Sequence, residues 1–256
     1  MLENTFIHIQ GIGQKTEKGL WRQGIRNWRQ FLDYNRIIFS RARDQYVREE
    51  LAASTAHLQD IGFFVDRLSS HEIWRVFDTF RQTSVYLDIE TSGGFQGVDE
   101  ITVIGIYDGH TVNTFVNGIN LDAFEIAIAK YDLVITFNGS LFDLPFIRRS
   151  FPGISLPAGH IDLRFLLKSL GFAGGLKKIE KDFGLMRDPK INGMNGYDAV
   201  TLWRDYQWGD KTAIETLIQY NSADIVNLKP LMEFGFEKMK AALGFRELAG
   251  SGGCLF

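Results

Sequence analysis

The sequence predicts an α/β fold: a mixed sheet of three antiparallel strands joined to parallel ones, flanked by helices in three layers, with a small helical N-terminal arm. Three observations predict it. Three consecutive strand-patterned stretches, SVYLDIE, EITVIGIYDG and TVNTFVNG, start at Ser84, and Gly109-His110 between the last two suits a hairpin. Helical LDAFEIAIAKY, apolar DLVITF and helical FDLPFIRRSF then alternate, as in an α/β layer. After the short HIDL segment the pattern is helical to about residue 242, enough chain to cover a sheet.

In chain order, residues 1–45 read as a basic helical arm. Through Arg43 the segment carries eight basic residues against three acidic ones, a local charge of +5. Its IQGIGQKTEKGLWRQGIRNW resembles the hairpin and second helix of a helix-hairpin-helix, in which Gly11, Gly13 and Lys15 would meet a phosphate at a helix N-terminus. The alternative is an arm that packs Leu20, Trp21, Ile25 and Trp28 on the core, since apolar residues at that spacing usually mean burial. Residues 46–82 read as a helical connector, 83–242 as the main domain and 243–256 as a C-terminal tail. Within the main domain, Pro145 is expected to bend the helix that FDLPFIRRSF begins.

Length and charge narrow the functions. A chain of 256 residues holds one full core and a small appendage. Its net charge of −3 argues against a protein coated in basic residues, so nucleic-acid contact must be local. The lone Cys254, in the tail AGSGGCLF, excludes an internal disulfide, and no secretory leader or ~18-residue apolar run is evident. The expectation is a cytoplasmic protein with no membrane contact. The sequence names no protein partner.

The chemistry lies in three short segments. Asp88 and Glu90 in VYLDIETSGG are two apart on a strand and project from one face. Asp143 in TFNGSLFDLPFI opens an element just after an apolar strand and the turn residues Asn138 and Gly139. Tyr220 and Asp224 in QYNSADIVNL are four apart on a helix, and therefore neighbours. Clustered carboxylates repel unless cations neutralise them. Oxygen ligands without Cys or His favour Mg²⁺ or Mn²⁺ over zinc, and two such ions about 3.5–4 Å apart suit in-line displacement at phosphorus. Lys177 and Lys178, behind Gly174-Gly175, and Asn138 are candidate nucleic-acid contacts, and Asp162 is a lesser candidate ligand.

The set resembles the DEDD exonucleases of the ribonuclease-H-like superfamily, whose motifs carry Asp-x-Glu, then Asp, then Tyr-x-x-x-Asp or His-x-x-x-x-Asp. Here Gln219 stands where the histidine version needs His, so the likeness is to the tyrosine subclass. WRVF, GGLKKIEKDFGLMR and YDAVTLWRDYQWGD extend it to the YprB-type predicted exonucleases over roughly residues 60–240. The resemblance implies a ribonuclease-H-like fold and a two-metal 3′-to-5′ exonuclease acting on a single-stranded 3′ end of DNA or RNA, releasing nucleoside 5′-monophosphates. In it Asp88 bridges both ions, Glu90 and Asp224 complete the ion that holds the water, Asp143 helps hold the second, and Tyr220 orients the water. Two alternatives stay open: a structure-selective endonuclease or hybrid-cleaving ribonuclease, and a non-catalytic nucleic-acid-binding protein.

Overall fold

The computed structural model describes residues 1–94 and 99–244. Beyond Gly244 the expected tail, Cys254 included, lies outside the described residues. Helices α1 (Gln14–Arg22), α2 (Trp28–Leu32), α3 (Arg41–Ala56), α4 (Ile61–Val65) and α5 (Phe77–Phe80) lead into β1 (Ser84–Thr91), β2 (Ile101–Tyr107) and β3 (Val112–Val116). There follow α6 (Phe124–Ile128), β4 (Leu133–Thr136), α7 (Asp143–Ser150), β5 (Gly159–Asp162), α8 (Leu163–Ser169), α9 (Leu176–Asp182), α10 (Gly196–Gln207) and α11 (Lys211–Ala242). Polar side chains start several helices by accepting first-turn N–H groups: Ser40 on α3, Asp162 on α8, Asn195 on α10 and Asp210 on α11.

The strands form one sheet in the order β3-β2-β1-β4-β5. β1 runs antiparallel to β2 and parallel to β4, and β4 runs parallel to β5, giving the mixed sheet of a ribonuclease-H-like fold. His160–Asp162 of the HIDL segment lie in the edge strand β5, and its Leu163 opens α8. Along β1 the side chains alternate between two helical layers. Val85, Leu87 and Ile89 join Phe124, Leu144 and Ile147 from α6 and α7. On the other face Tyr86 joins Leu163 and Leu167 of α8 and Ile225, Leu228 and Met232 of α11. A two-residue period therefore delivers Asp88 and Glu90 to the face under α11. Pro145 does not bend α7: it is the third helical residue, where an N–H would have no partner within the helix.

The N-terminal segment packs on this body. Leu20, Trp21, Ile25 and Trp28 are buried in the cluster that includes Leu133 and Ile161 of the sheet. Only a short 3₁₀ turn, Leu2–Asn4, precedes Gly11, and the Arg43 guanidinium lies against that glycine. Gly13 is the N-cap of α1, and Lys15 is exposed on its first turn. The arm is pinned electrostatically through Glu17, which is fully buried and accepts the backbone N–H of Phe6 at 2.6 Å and Arg75 Nη1 at 2.9 Å. Burial pushes the Glu17 carboxyl up despite that partner. Arg75→Ala would leave the Glu17 charge buried without a counterion, and is expected to cost about 3–5 kcal/mol. The urea midpoint of unfolding measures it.

Candidate active site

β1 pairs with β4 only as far as Tyr86↔Ile135, so its last residues extend past that neighbour. The N–H of Ile89, facing the missing partner, donates instead to Asp143 Oδ1 at 3.1 Å. This bond ties the start of α7 to the β1 backbone between Asp88 and Glu90. The loop before α7 owes its shape to Asn138, at φ 69, and to Gly139, where a Cβ would lie 2.3 Å from Thr136 Oγ1. Asp162 holds that loop. It accepts the N–H groups of Asn138 (2.8 Å), Ser140 (3.1 Å) and Arg164 (3.0 Å) and the Ser140 hydroxyl (2.5 Å), so its oxygens are taken up by the loop and the start of α8.

From the other side α11 brings Tyr220, Asn221 and Asp224 onto the sheet, all buried. Carboxylate oxygens of Asp88, Glu90 and Asp224 lie within 4.8 Å of one another. Asp143 sits outside that closest group but near enough to raise Asp88. Asn221 Nδ2 donates to Asp88 Oδ2 at 3.0 Å and to its carbonyl at 3.3 Å. Gly105 pairs with Asp88 in the β1–β2 ladder, and a Cβ there would fall 2.0 Å from Asn221 Oδ1. A mid-strand glycine is thus the clearance that lets Asn221 reach Asp88.

Charge is concentrated in this pocket. Burial, then Asp143, Asp224 and Glu90, hold Asp88 well above the usual carboxylate range. Burial and Asp224 push Glu90 up to about 8, with Lys177 opposing. Burial pushes Asp143 up to about 7 against the Ile89 hydrogen bond. Burial and the charges of Asp224, Glu90 and Asp88 likewise hold the Tyr220 phenol protonated far beyond neutral pH. Two cations answer. Lys177 Nζ and Arg187 Nη2 both donate to Asp224 Oδ1, and Lys177 also lies 4.3 Å from the Tyr220 ring centroid. Arg187 is fixed in turn by Glu180, its Nε donating at 2.9 Å, and Glu180 accepts from Asn227 at 2.9 Å. Lys178 points elsewhere, to Asp182 and the carbonyl of Ala173.

A hard divalent cation fits this donor set: the carboxylates of Asp88, Glu90 and Asp224 converge, all oxygen, and burial together with neighbouring carboxylates raises Asp88 and Glu90. The pattern of motifs did not single out Asn221, Gly105, Glu180 or Arg187. A glycine within apolar EITVIGIYDG and an acid beside Ile179 on the buried side of α9 were the available signals.

The family described as RNase_H superfamily matches residues 85–234, a span that holds Asp88, Glu90, Asp143, Tyr220 and Asp224. No curated protein matches the chain. Among solved structures, Brucella melitensis NrnC is 18% identical over 66% of this chain and 79% of its own, with a TM-score of 0.44. Escherichia coli RNase D, an exoribonuclease involved in structured RNA processing, is 18% identical over 67% and 45%, with a TM-score of 0.45. For the family B DNA polymerase of the archaeon Pyrobaculum calidifontis the identity is 15%, over 62% of this chain and 24% of the polymerase, with a TM-score of 0.46. The chain therefore spans about a quarter of that polymerase and under half of RNase D.

Proposed function

The chain belongs to the RNase H superfamily, and from that premise we propose that it is a divalent-metal-dependent 3′-to-5′ exonuclease of the tyrosine DEDD subclass, YprB-like, that trims single-stranded DNA or RNA to nucleoside 5′-monophosphates. The observation that carries the reading is the convergence of Asp88, Glu90 and Asp224 under Tyr220, with Asp143 tied in through Ile89. Asp88, Glu90, Asp143 and Asp224 would hold Mg²⁺ or Mn²⁺, two ions in all, which when bound supply charge neutralisation at the phosphate and a more acidic water. Tyr220, one helical turn from Asp224 on α11, acts as a hydrogen-bond donor that orients the attacking water. Lys177 and Arg187 balance the Asp224 charge, and Lys177 is placed to meet a phosphate oxygen.

Products test it. With Mn²⁺, 5′-labelled single strands should shorten stepwise and release mononucleotides, across a panel of DNA, RNA, duplex and hybrid substrates. Internal fragments without mononucleotides would replace exonuclease by endonuclease, and strand binding without cleavage would favour a non-catalytic protein. Gly105→Ala is expected to push Asn221 away and loosen Asp88, lowering turnover by about 10- to 100-fold, the cost of a reactive group misplaced by about 1 Å. Steady-state mononucleotide release reads the loss.

A further inference from the structure

Beside the carboxylates runs a groove of about 730 Å³ whose walls include Phe137, Asn138, Arg164, Phe165, Lys168 and Phe172. Both rims lead to the acidic cluster. Asn138 belongs to the loop that ends at Asp143, while the groove's Gly175 caps α9, whose Lys177 touches Asp224. Among the described residues its lining contains no acidic side chain, in contrast to the pocket it adjoins and to the net charge of −3. Arg164 and Lys168 are four apart on α8, both exposed, so they present positive charge along one helix face.

The apolar part of the groove faces solvent. Phe165 is 46% exposed, and at the adjoining loop Leu141 and Phe142 are 66% and 44% exposed. Phe172 is held in place against Phe183 and Phe234, at 5.0 and 5.6 Å between centroids, and so offers a fixed ring. Rings alternating with cations suit a single strand, whose bases have free faces and whose phosphates follow at each step. A duplex offers phosphates and base edges but no base faces.

We propose that this groove binds the single-stranded segment leading to the acidic site, with bases stacked on Phe165 and Phe172 and phosphates against Arg164 and Lys168. The assignment rests on the nuclease reading for its location, and it names what that reading leaves open, the path of the strand.

Binding and cleavage separate the two. Anisotropy of fluorescein-labelled 12-mers, DNA and RNA, in EDTA reports binding without turnover. Wild type should prefer the single strand to its duplex by at least about tenfold, and Phe165→Ala should weaken it about 5- to 100-fold. Arg164→Ala with Lys168→Ala should reduce the salt-dependence slope of log K by about 1.4, at about 0.7 per phosphate contact. All of these side chains are exposed, and an unchanged melting temperature shows that the variants fold. Variants binding within twofold of wild type, a preference for duplex, or no binding by wild type would overturn the groove. Wild type that binds as expected but releases no mononucleotide with Mn²⁺ would leave the groove standing and remove the nuclease reading.

Discussion

Asp88→Asn is expected to lower phosphodiester hydrolysis by roughly 10³-fold or more, equivalent to about 4 kcal/mol of lost transition-state stabilisation. The substitution keeps the shape of the side chain and its place beside Asn221, which can donate to an amide oxygen as it does to Asp88 Oδ2. What it removes is one carboxylate of the converging set, one that burial and then Asp143, Asp224 and Glu90 raise. Fold and metal-free stability should survive, because one buried member of a repelling cluster is gone. Tyr220→Phe serves as the graded comparison. It deletes a hydrogen bond to water and leaves every carboxylate in place, so a loss of about 10- to 100-fold is expected, within the usual range for one positioned proton-transfer or hydrogen-bonding group. Single-turnover mononucleotide release with Mn²⁺ distinguishes the two. Equal activity of wild type and Asp88→Asn would remove the catalytic assignment altogether.

The parts of this site that could be read from the sequence are those set by local periodicity. Two residues on a strand share a face, so Asp88 and Glu90 had to emerge together, and four residues on a helix place Tyr220 beside Asp224. The order of strands and helices from Ser84 onward was legible for the same reason, because apolar period marks each element. What periodicity cannot supply is contact between distant segments. The buried pair Glu17–Arg75 joins positions 58 residues apart, and nothing local in TEKGLW announces a buried acid. Arg187 reaches Asp224 across 37 residues in the same way. Gly159–Asp162 is too short and too polar for a period-two pattern to declare itself, and pairs as a strand along the edge that β4 offers at Leu133–Thr136. Pro145 illustrates the opposite error: a rule for proline in a helix interior applied to the third residue of α7, whose N–H would have no partner within the helix to lose.

Without metal, the protein is expected to lose stability as pH rises from 6.5 to 8.5, and Mn²⁺ should restore it most at the upper end. The sign follows from which state binds more protons. Asp88 lies well above the usual carboxylate range, with Glu90 at about 8 and Asp143 at about 7, all raised chiefly by burial. Unfolding frees them to ordinary values near 4, so over this window the native state binds more protons than the unfolded chain. Stability is then fully present below the unfolded values and is lost as pH climbs through the folded ones, by about 1.4 kcal/mol per pH unit for each excess proton. Two histidines work the other way at lower pH. Burial lowers His8 and His160 to about 4, so each favours the folded state increasingly as pH rises from 4 toward 6.5. Their contribution fades as pH passes about 7.5, where they are neutral in both states, and above that the carboxyl effect is left unopposed. One to two excess protons over two pH units correspond to about 3–6 kcal/mol, or on the order of 10–20 °C in melting temperature for a chain of this size. A divalent ion replaces those protons, and at 100 times its Kd adds about 2.7 kcal/mol. Melting curves in EDTA and in millimolar Mn²⁺, at pH 6.5 and 8.5, carry the test, with Asp88→Asn expected to flatten the pH dependence. A metal-free protein that melts higher at pH 8.5, or a Mn²⁺ shift equal at both pH values, would mean that these carboxyls do not share one buried, charge-starved pocket.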